Sequence, residues 1–359
     1  MLYRLIAATP QVRHVVLSLS GPGVLSARLA DAGAILVDHN GGHTMLGRLL
    51  KGISTDRPDI IQGWMYHGNL AAMAVKARYP AAQLFWNIRQ SIAIRNLTKP
   101  STRALIRLQA QLSRFPRAII YNSGEGAESH ERLGFAAERR TLIPNGFDTD
   151  EFRPDSSLRA TMRNGFGIGT AEVAIGLIAR FDPWKNHAGF FRMAERMLDT
   201  HTHCRFILAG HGMEWSNSEL AALVPSDRLR ERMILLGDRR DIPAIYAALD
   251  IACNVSHGEG FPNAVGEAMA CGLPCVVTPV GATAELVGDF GIVARSTDDA
   301  ALFEAFFRAV GMTREGREAM GRAARERIIA EFSIDSVARR YLDLYSKSLT
   351  GKRLHRGQG

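Results

Sequence analysis

The chain has 359 residues, 46% of them hydrophobic and 22% charged, enough apolar side chain for about two ordinary domains and too little charge imbalance for a disordered chain. No apolar run approaches the ~18 residues of a membrane span. The first ten residues contain Arg4 and no small-residue cleavage pattern, so a signal peptide is not expected and the location expected is cytoplasmic. The net charge of +8 favours anionic partners, but no zinc-finger spacing, basic zipper or aromatic RNA-binding signature is present, which argues against nucleic acid.

In chain order, residues 1–7 read as a short helix with Leu2, Leu5 and Ile6 on one face. Buried strands follow at 14–19, 60–62, 84–88 and 118–122, with helical patterns at 70–78 and 102–113 between them. The second half repeats the theme, with strands at 173–179, 205–209, 233–236, 251–255 and 275–278. Short continuous apolar runs separated by helices predict parallel sheets covered on both faces. The fold class expected is therefore α/β, doubly wound, twice over. Ile143-Pro144-Asn145-Gly146-Phe147-Asp148 opens a turn-rich connector. The divisions expected are 1–148, 149–333, and a helix at 334–350 that follows the end of the second sheet. The four cysteines, Cys204, Cys253, Cys271 and Cys275, have apolar neighbours and read as core thiols rather than ligands.

Two segments carry chemistry. Ser256–Pro274, SHGEGFPNAVGEAMACGLP, follows a strand and opens a helix. A turn before a helix presents free backbone N–H groups and the positive end of the helix dipole, which suits a diphosphate. Glu259 and Glu267 flank that turn, and Glu267 lies where it can accept bonds from sugar or ribose hydroxyls. Ile178–His187, IARFDPWKNH, places Arg180 and Lys185 after a strand's carboxyl end, where open α/β sheets bind ligands. Arg as a planar fork and Lys as a point charge can both neutralise a leaving diphosphate. Read alone, either segment is equally an ordinary turn with solvated charges. The basic stretch 95–117 puts Leu105, Leu108 and Leu112 on one face and Arg103, Arg107 and Arg114 on another. It reads as an amphipathic surface helix, or as a docking face for anionic lipid.

Together, Arg-Phe-Asp-Pro-x-Lys-Asn, Glu-Gly-Phe-Pro-Asn with a second Glu after seven intervening residues, Cys-Gly-Leu-Pro-Cys-Val-Val-Thr and Val-Gly-Ala-Thr-Ala-Glu-Leu-Val resemble the group 1, family 4 retaining glycosyltransferases of GT-B fold. IPNGFD resembles that family's entry into its second domain, and the terminal Phe-Ser helix the one that crosses back to the first. The resemblance implies two Rossmann-like domains facing a cleft, with a nucleotide-sugar donor as co-substrate, no metal and no further cofactor. It implies that Arg180 and Lys185 bind the donor phosphates and that Glu259 contacts the donor sugar near the reacting carbon. Gly260, Phe261, Asn263, Ala264 and Val265 would hold sugar or phosphate oxygens, and Glu267 the ribose.

On the acceptor side the resemblance points to His67, for substrate contact or proton handling. It points also to Arg89, which stands where many relatives have His. The acceptor would be a glycan or a lipid-linked sugar of cell-surface polysaccharide synthesis, with peripheral contact to an anionic membrane. The alternative on the same fold is a nucleotide-sugar epimerase. Relatives also open with a strand and a glycine-rich loop. Since residues 1–7 already read as the helix that follows these, the first strand is expected to be missing and the start at Met1 to be placed too late.

Overall fold

The computed structural model describes residues 1–21, 23–37, 57–92 and 100–356, with side chains up to residue 349. The chain divides into two compact units, Met1–Gly146 with Ile334–Gly359, and Phe147–Ser333. The first crossing falls two residues before the connector boundary expected from sequence. Phe147 is fully buried within the second unit, packed so tightly on the helix Asn263–Ala270 that a Cβ on Gly266 would collide with its ring.

In the first unit, strands β3 (Ile60–Trp64), β4 (Gln83–Ile88), β5 (Ala118–Tyr121) and β6 (Arg140–Leu142) form a parallel sheet in that order. β4 and β5 are almost wholly buried, as parallel strands covered on both faces must be. The chain opens with the helix Leu2–Ala7, whose Leu5 packs with Phe85, Ile120 and Tyr341. Among the described residues, strands β1 (Val15–Val16) and β2 (Ile35–Leu36) pair only with each other, in a separate two-stranded parallel sheet. Val15 and Ile35 are exposed there. β3 has a strand partner on one side only among the described residues. The first unit's strands thus stand in two pieces among the described residues. The C-terminal helix Ile334–Arg356 belongs to this unit, burying Val337, Ala338 and Tyr341 in its core.

In the second unit, β7 (Val173–Ile178), β8 (Cys204–Ala209), β9 (Met233–Leu235), β10 (Ile251–Asn254), β11 (Cys275–Val277) and β12 (Ile292–Val293) form one parallel sheet in the order β12-β11-β10-β7-β8-β9. The chain builds outward from β7 in one direction, then returns to β10 and builds outward in the other. The order therefore reverses between β7 and β10. Phe190, Phe191, Phe206 and Phe306 fill one face of this sheet and Ile207, Leu249 and Met269 the other. The four cysteines are buried free thiols. Asp250, entering β10, receives Arg159 at 2.5 Å and Arg163 at 2.9 Å, tying the helix Ser156–Gly165 to the sheet.

Two histidines are sealed in these cores. His130 Nδ1 donates to the Gly126 carbonyl (2.6 Å), and its Nε2 accepts from the Tyr66 hydroxyl (2.8 Å). His187 packs on Phe181. Burial pushes each imidazole down to about 4 from 6.5. Both are neutral above pH 6.5 in either state. Between pH 6.5 and 4 the unfolded chain takes up the protons first, so stability falls as pH falls, by at most about 3 kcal/mol per histidine. His130→Gln can keep both bonds without titrating. Urea midpoints at pH 7 and pH 4.5 should lie closer together in this variant than in the wild type, whereas an equal separation would show that His130 does not titrate on unfolding.

Candidate active site

The reversal between β7 and β10 determines where a site can form. At such a switch point the loops leaving the two strands diverge and leave a crevice at the strands' carboxyl ends. The loop after β7 carries Arg180 and Lys185, and the loop after β10 carries Glu259.

Local chemistry shapes the first loop. Asp182 caps the short turn Pro183–Lys185 by accepting from the Trp184 amide at 2.9 Å, and Pro183 sits where a helical turn needs no donor. Asn186 then takes a left-handed conformation (φ 54°) and caps the next helix, His187–Met197, by accepting from the Gly189 amide. Lys185 is held between the two caps. Its ammonium lies 2.6 Å from Glu259 Oε1, across 74 residues of sequence. Arg180 forks instead onto Asp182 Oδ2, at 2.9 and 3.1 Å, with its side chain 67% exposed.

The second loop concentrates donors on one carboxylate oxygen. Besides Lys185, Glu259 Oε1 accepts from Asn254 Nδ2 (2.9 Å) and Ser256 Oγ (2.7 Å). Oε2 receives no bond among the described residues. Asn254 and Ser256 are absent from the sequence-derived site. Their signal was present: two polar residues at the end of an otherwise apolar strand, close before an acidic residue.

The loop ends at the helix Asn263–Ala270, whose N-terminus has no side-chain cap, so its leading amides suit an anion. Asn263 is exposed there and Ala264 half-buried, and Glu267 lies half-buried one turn further on. Val265 is core: its side chain is buried and its amide donates to the Pro262 carbonyl. Phe261 also faces inward, stacked on Phe147 and beside Phe332, and so anchors the loop. Gly260 accepts the Ala282 amide through its carbonyl.

His67 and Arg89 are placed in the first unit. His67 is exposed on the first turn of the helix Met65–Arg78, at the carboxyl end of β3. Arg89 is committed to its neighbours. It donates to Asn145 Oδ1, to Asn87 Oδ1 (3.0 Å), to the Tyr341 hydroxyl (2.9 Å) and to the Pro144 carbonyl (3.3 Å). It is a strut joining β4 to the connector and to the C-terminal helix. No cluster of His, Cys, Asp and Glu suited to a metal occurs among the described residues.

Two family models match. "Glycosyltransferase Family 4" covers residues 11–151 and "Glycosyl transferases group 1" covers residues 172–311. The chain belongs to the group 1, family 4 glycosyltransferases. Among curated relatives, the Escherichia coli UDP-Gal:alpha-D-GlcNAc-diphosphoundecaprenol alpha-1,3-galactosyltransferase is 27% identical over 218 residues, 59% of this chain and 55% of its own. The lipopolysaccharide core biosynthesis mannosyltransferase LpsB of Rhizobium meliloti is 31% identical over 173 residues, 47% of each chain. The chain thus spans about half the length of these curated relatives. The crystal structure of Anabaena HepE with UDP and glucose superposes with a TM-score of 0.80 at 21% identity, covering 96% of this chain and 95% of that one. The fold is GT-B.

One backbone contact fixes Glu259 from outside its own loop. Gly281 has φ +58°, and a Cβ there would collide with the Glu259 carbonyl oxygen and lie 2.8 Å from its carbon. Gly281→Ala is expected to destabilise the fold by about 1–3 kcal/mol, from the left-handed backbone and the lost approach. Urea unfolding measures this, and an unchanged midpoint would show that the approach is not needed.

Proposed function

We propose that this chain is a retaining glycosyltransferase that moves a sugar from a nucleotide-sugar donor to a glycan or lipid-linked acceptor in cell-surface polysaccharide synthesis, without a metal. The observation that carries this reading is the Lys185–Glu259 contact at the strand-order reversal, beside the N-terminus of the helix Asn263–Ala270. The relatives support the classes of partner. HepE was crystallised in complex with UDP and glucose, and the E. coli enzyme is named for a UDP-galactose donor and a diphosphoundecaprenol-linked sugar.

In the reaction the bond between the anomeric carbon and the diphosphate oxygen breaks, and its electron pair leaves with the diphosphate. An acceptor hydroxyl forms the new bond, and its proton passes to the departing diphosphate oxygen. Negative charge grows on the leaving group, where Lys185, Arg180 and the amides leading into Asn263–Ala270 can stabilise it. Preorganised donors of this kind are the usual largest contribution to such a rate. Glu259 Oε2 faces the sugar, and Glu267 holds the ribose.

The donor is found by thermal shift with UDP-, GDP-, ADP- and dTDP-sugars, since a bound donor raises the melting temperature by mass action. With that donor, Lys185→Ala or Arg180→Ala should lower turnover roughly 10²–10³-fold. NMR of the product should show the donor's anomeric configuration kept. Near-normal turnover in both folded variants, or an inverted linkage, would remove these residues or the retaining assignment.

Peripheral contact with an anionic membrane is supported by one surface. On the helix Pro100–Leu112 and the turn after it, Leu108 and Phe115 are exposed, beside exposed Arg103, Arg107 and Arg114. Ile106, Gln109 and Ala110 form the buried side, so Leu108 lies outside the core-facing stripe. No acidic residue occurs between 100 and 117. Residues 93–99 of the basic stretch lie outside the described residues. No described helix is long and apolar enough to cross a membrane. Co-sedimentation with phosphatidylglycerol vesicles should exceed that with phosphatidylcholine, and Leu108→Ser with Phe115→Ser should weaken it. Equal binding to both vesicle types would reject this face as a docking surface.

A further inference from the structure

Lys185 has one ammonium and two anionic claims on it. In the structure it sits on Glu259 Oε1. In the proposed reaction it must meet the donor diphosphate, whose charge exceeds that of one carboxylate. A flexible four-carbon stem cannot fix an oxygen on Glu259 while its charge is drawn elsewhere. The Glu259 side chain is only 11% exposed, so losing Lys185, its one cationic partner among the described residues, would leave a largely desolvated carboxylate poorly compensated.

Two neutral donors on rigid backbone stand ready for this. Asn254 ends β10 and is 95% buried. Its amide is fixed from both sides, with Nδ2 donating to Glu259 Oε1 and Oδ1 accepting from the Ser256 backbone at 3.2 Å. Ser256 is buried, and its carbonyl accepts from Thr278 Oγ1 at 2.7 Å, which ties it to the residue following β11. Its hydroxyl is thereby aimed at the same Glu259 oxygen. Both donors engage Oε1, the oxygen shared with Lys185, so they orient Oε2 without occupying it.

We propose that Asn254 and Ser256 are positioning residues that hold the Glu259 carboxylate in its present orientation when Lys185 transfers to an anionic ligand. This rests on the donor-site reading above, but its first test needs no donor. In a ligand-free crystal structure of Lys185→Ala, Glu259 should keep its rotamer, with Oε1 still within hydrogen-bond distance of Asn254 Nδ2 and Ser256 Oγ. In the triple variant that adds Asn254→Ala and Ser256→Ala, it should swing out. A carboxylate that leaves in Lys185→Ala alone would overturn the proposal.

The second test takes whichever of UDP, GDP, ADP and dTDP the thermal-shift screen selects, by calorimetry, with turnover of the matching nucleotide-sugar, and separates positioning from packing. Ser256→Ala should lower kcat about tenfold while the nucleotide Kd and donor KM stay within about threefold. Ser256→Thr, which keeps the hydroxyl, should restore kcat. Wild-type kcat in both Ser256→Ala and Asn254→Ala, or a parallel loss of nucleotide affinity and kcat, counts against the proposal. A wild type that binds none of the nucleotides would sink the donor-site reading instead, leaving the crystallographic test to decide this one.

Discussion

A carboxylate removed from water has to be compensated, and the loops after β7 and β10 do this for Glu259. A largely buried negative charge is costly unless it is paired and hydrogen-bonded. The cation comes from the loop after β7 and the neutral donors from the end of β10, so the two strands must be neighbours. They are neighbours because the chain builds the sheet outward from β7 and then returns beside it. The caps at Asp182 and Asn186, the close approach at Gly281 and the aromatic anchor at Phe261 each fix one side of this contact. Topology and electrostatics thus constrain the same few residues.

Much of the fold was legible in sequence because central parallel strands are apolar on both faces. β4, β7, β8 and β10 show this as continuous runs, and their positions follow within a residue or two. What escaped was short or at an edge. β2 and β12 are two residues each, and β6 reads Arg-Thr-Leu with two of its three residues exposed. None of these presents a run long enough to stand out from loop.

The site was legible in part, and the limits are physical. Charged residues after strand ends were recognisable as Lys185, Arg180 and Glu259, because such positions in an α/β sheet are where ligands are met. Sequence could not say which polar side chains turn inward to serve another residue. Asn254 and Ser256 stand out as polar residues at the end of an apolar strand, but their shared target is seen only in the structure. The reverse holds for Arg89. Its guanidinium is consumed by Asn87, Asn145, Tyr341 and the Pro144 carbonyl, three of which lie more than 50 residues away in sequence. Phe261 and Val265 likewise fall inside the motif yet spend their side chains on the core.

Arg180 and Lys185 stand on one loop but differ electrostatically. Arg180 is mostly exposed and shares its charge with an acid two residues away. A pair in that setting is weak and screened by salt, so its guanidinium can leave Asp182 for an arriving anion at small cost. Lys185 is 21% exposed and faces a carboxylate that is more buried still, where the effective dielectric is lower and the attraction stronger. Its departure therefore costs more, and something must take its place on Glu259. The two cations of the motif are not duplicates. On the proposed reading one is cheap to recruit, and the other can be recruited because neutral donors are already bonded to the same Glu259 oxygen.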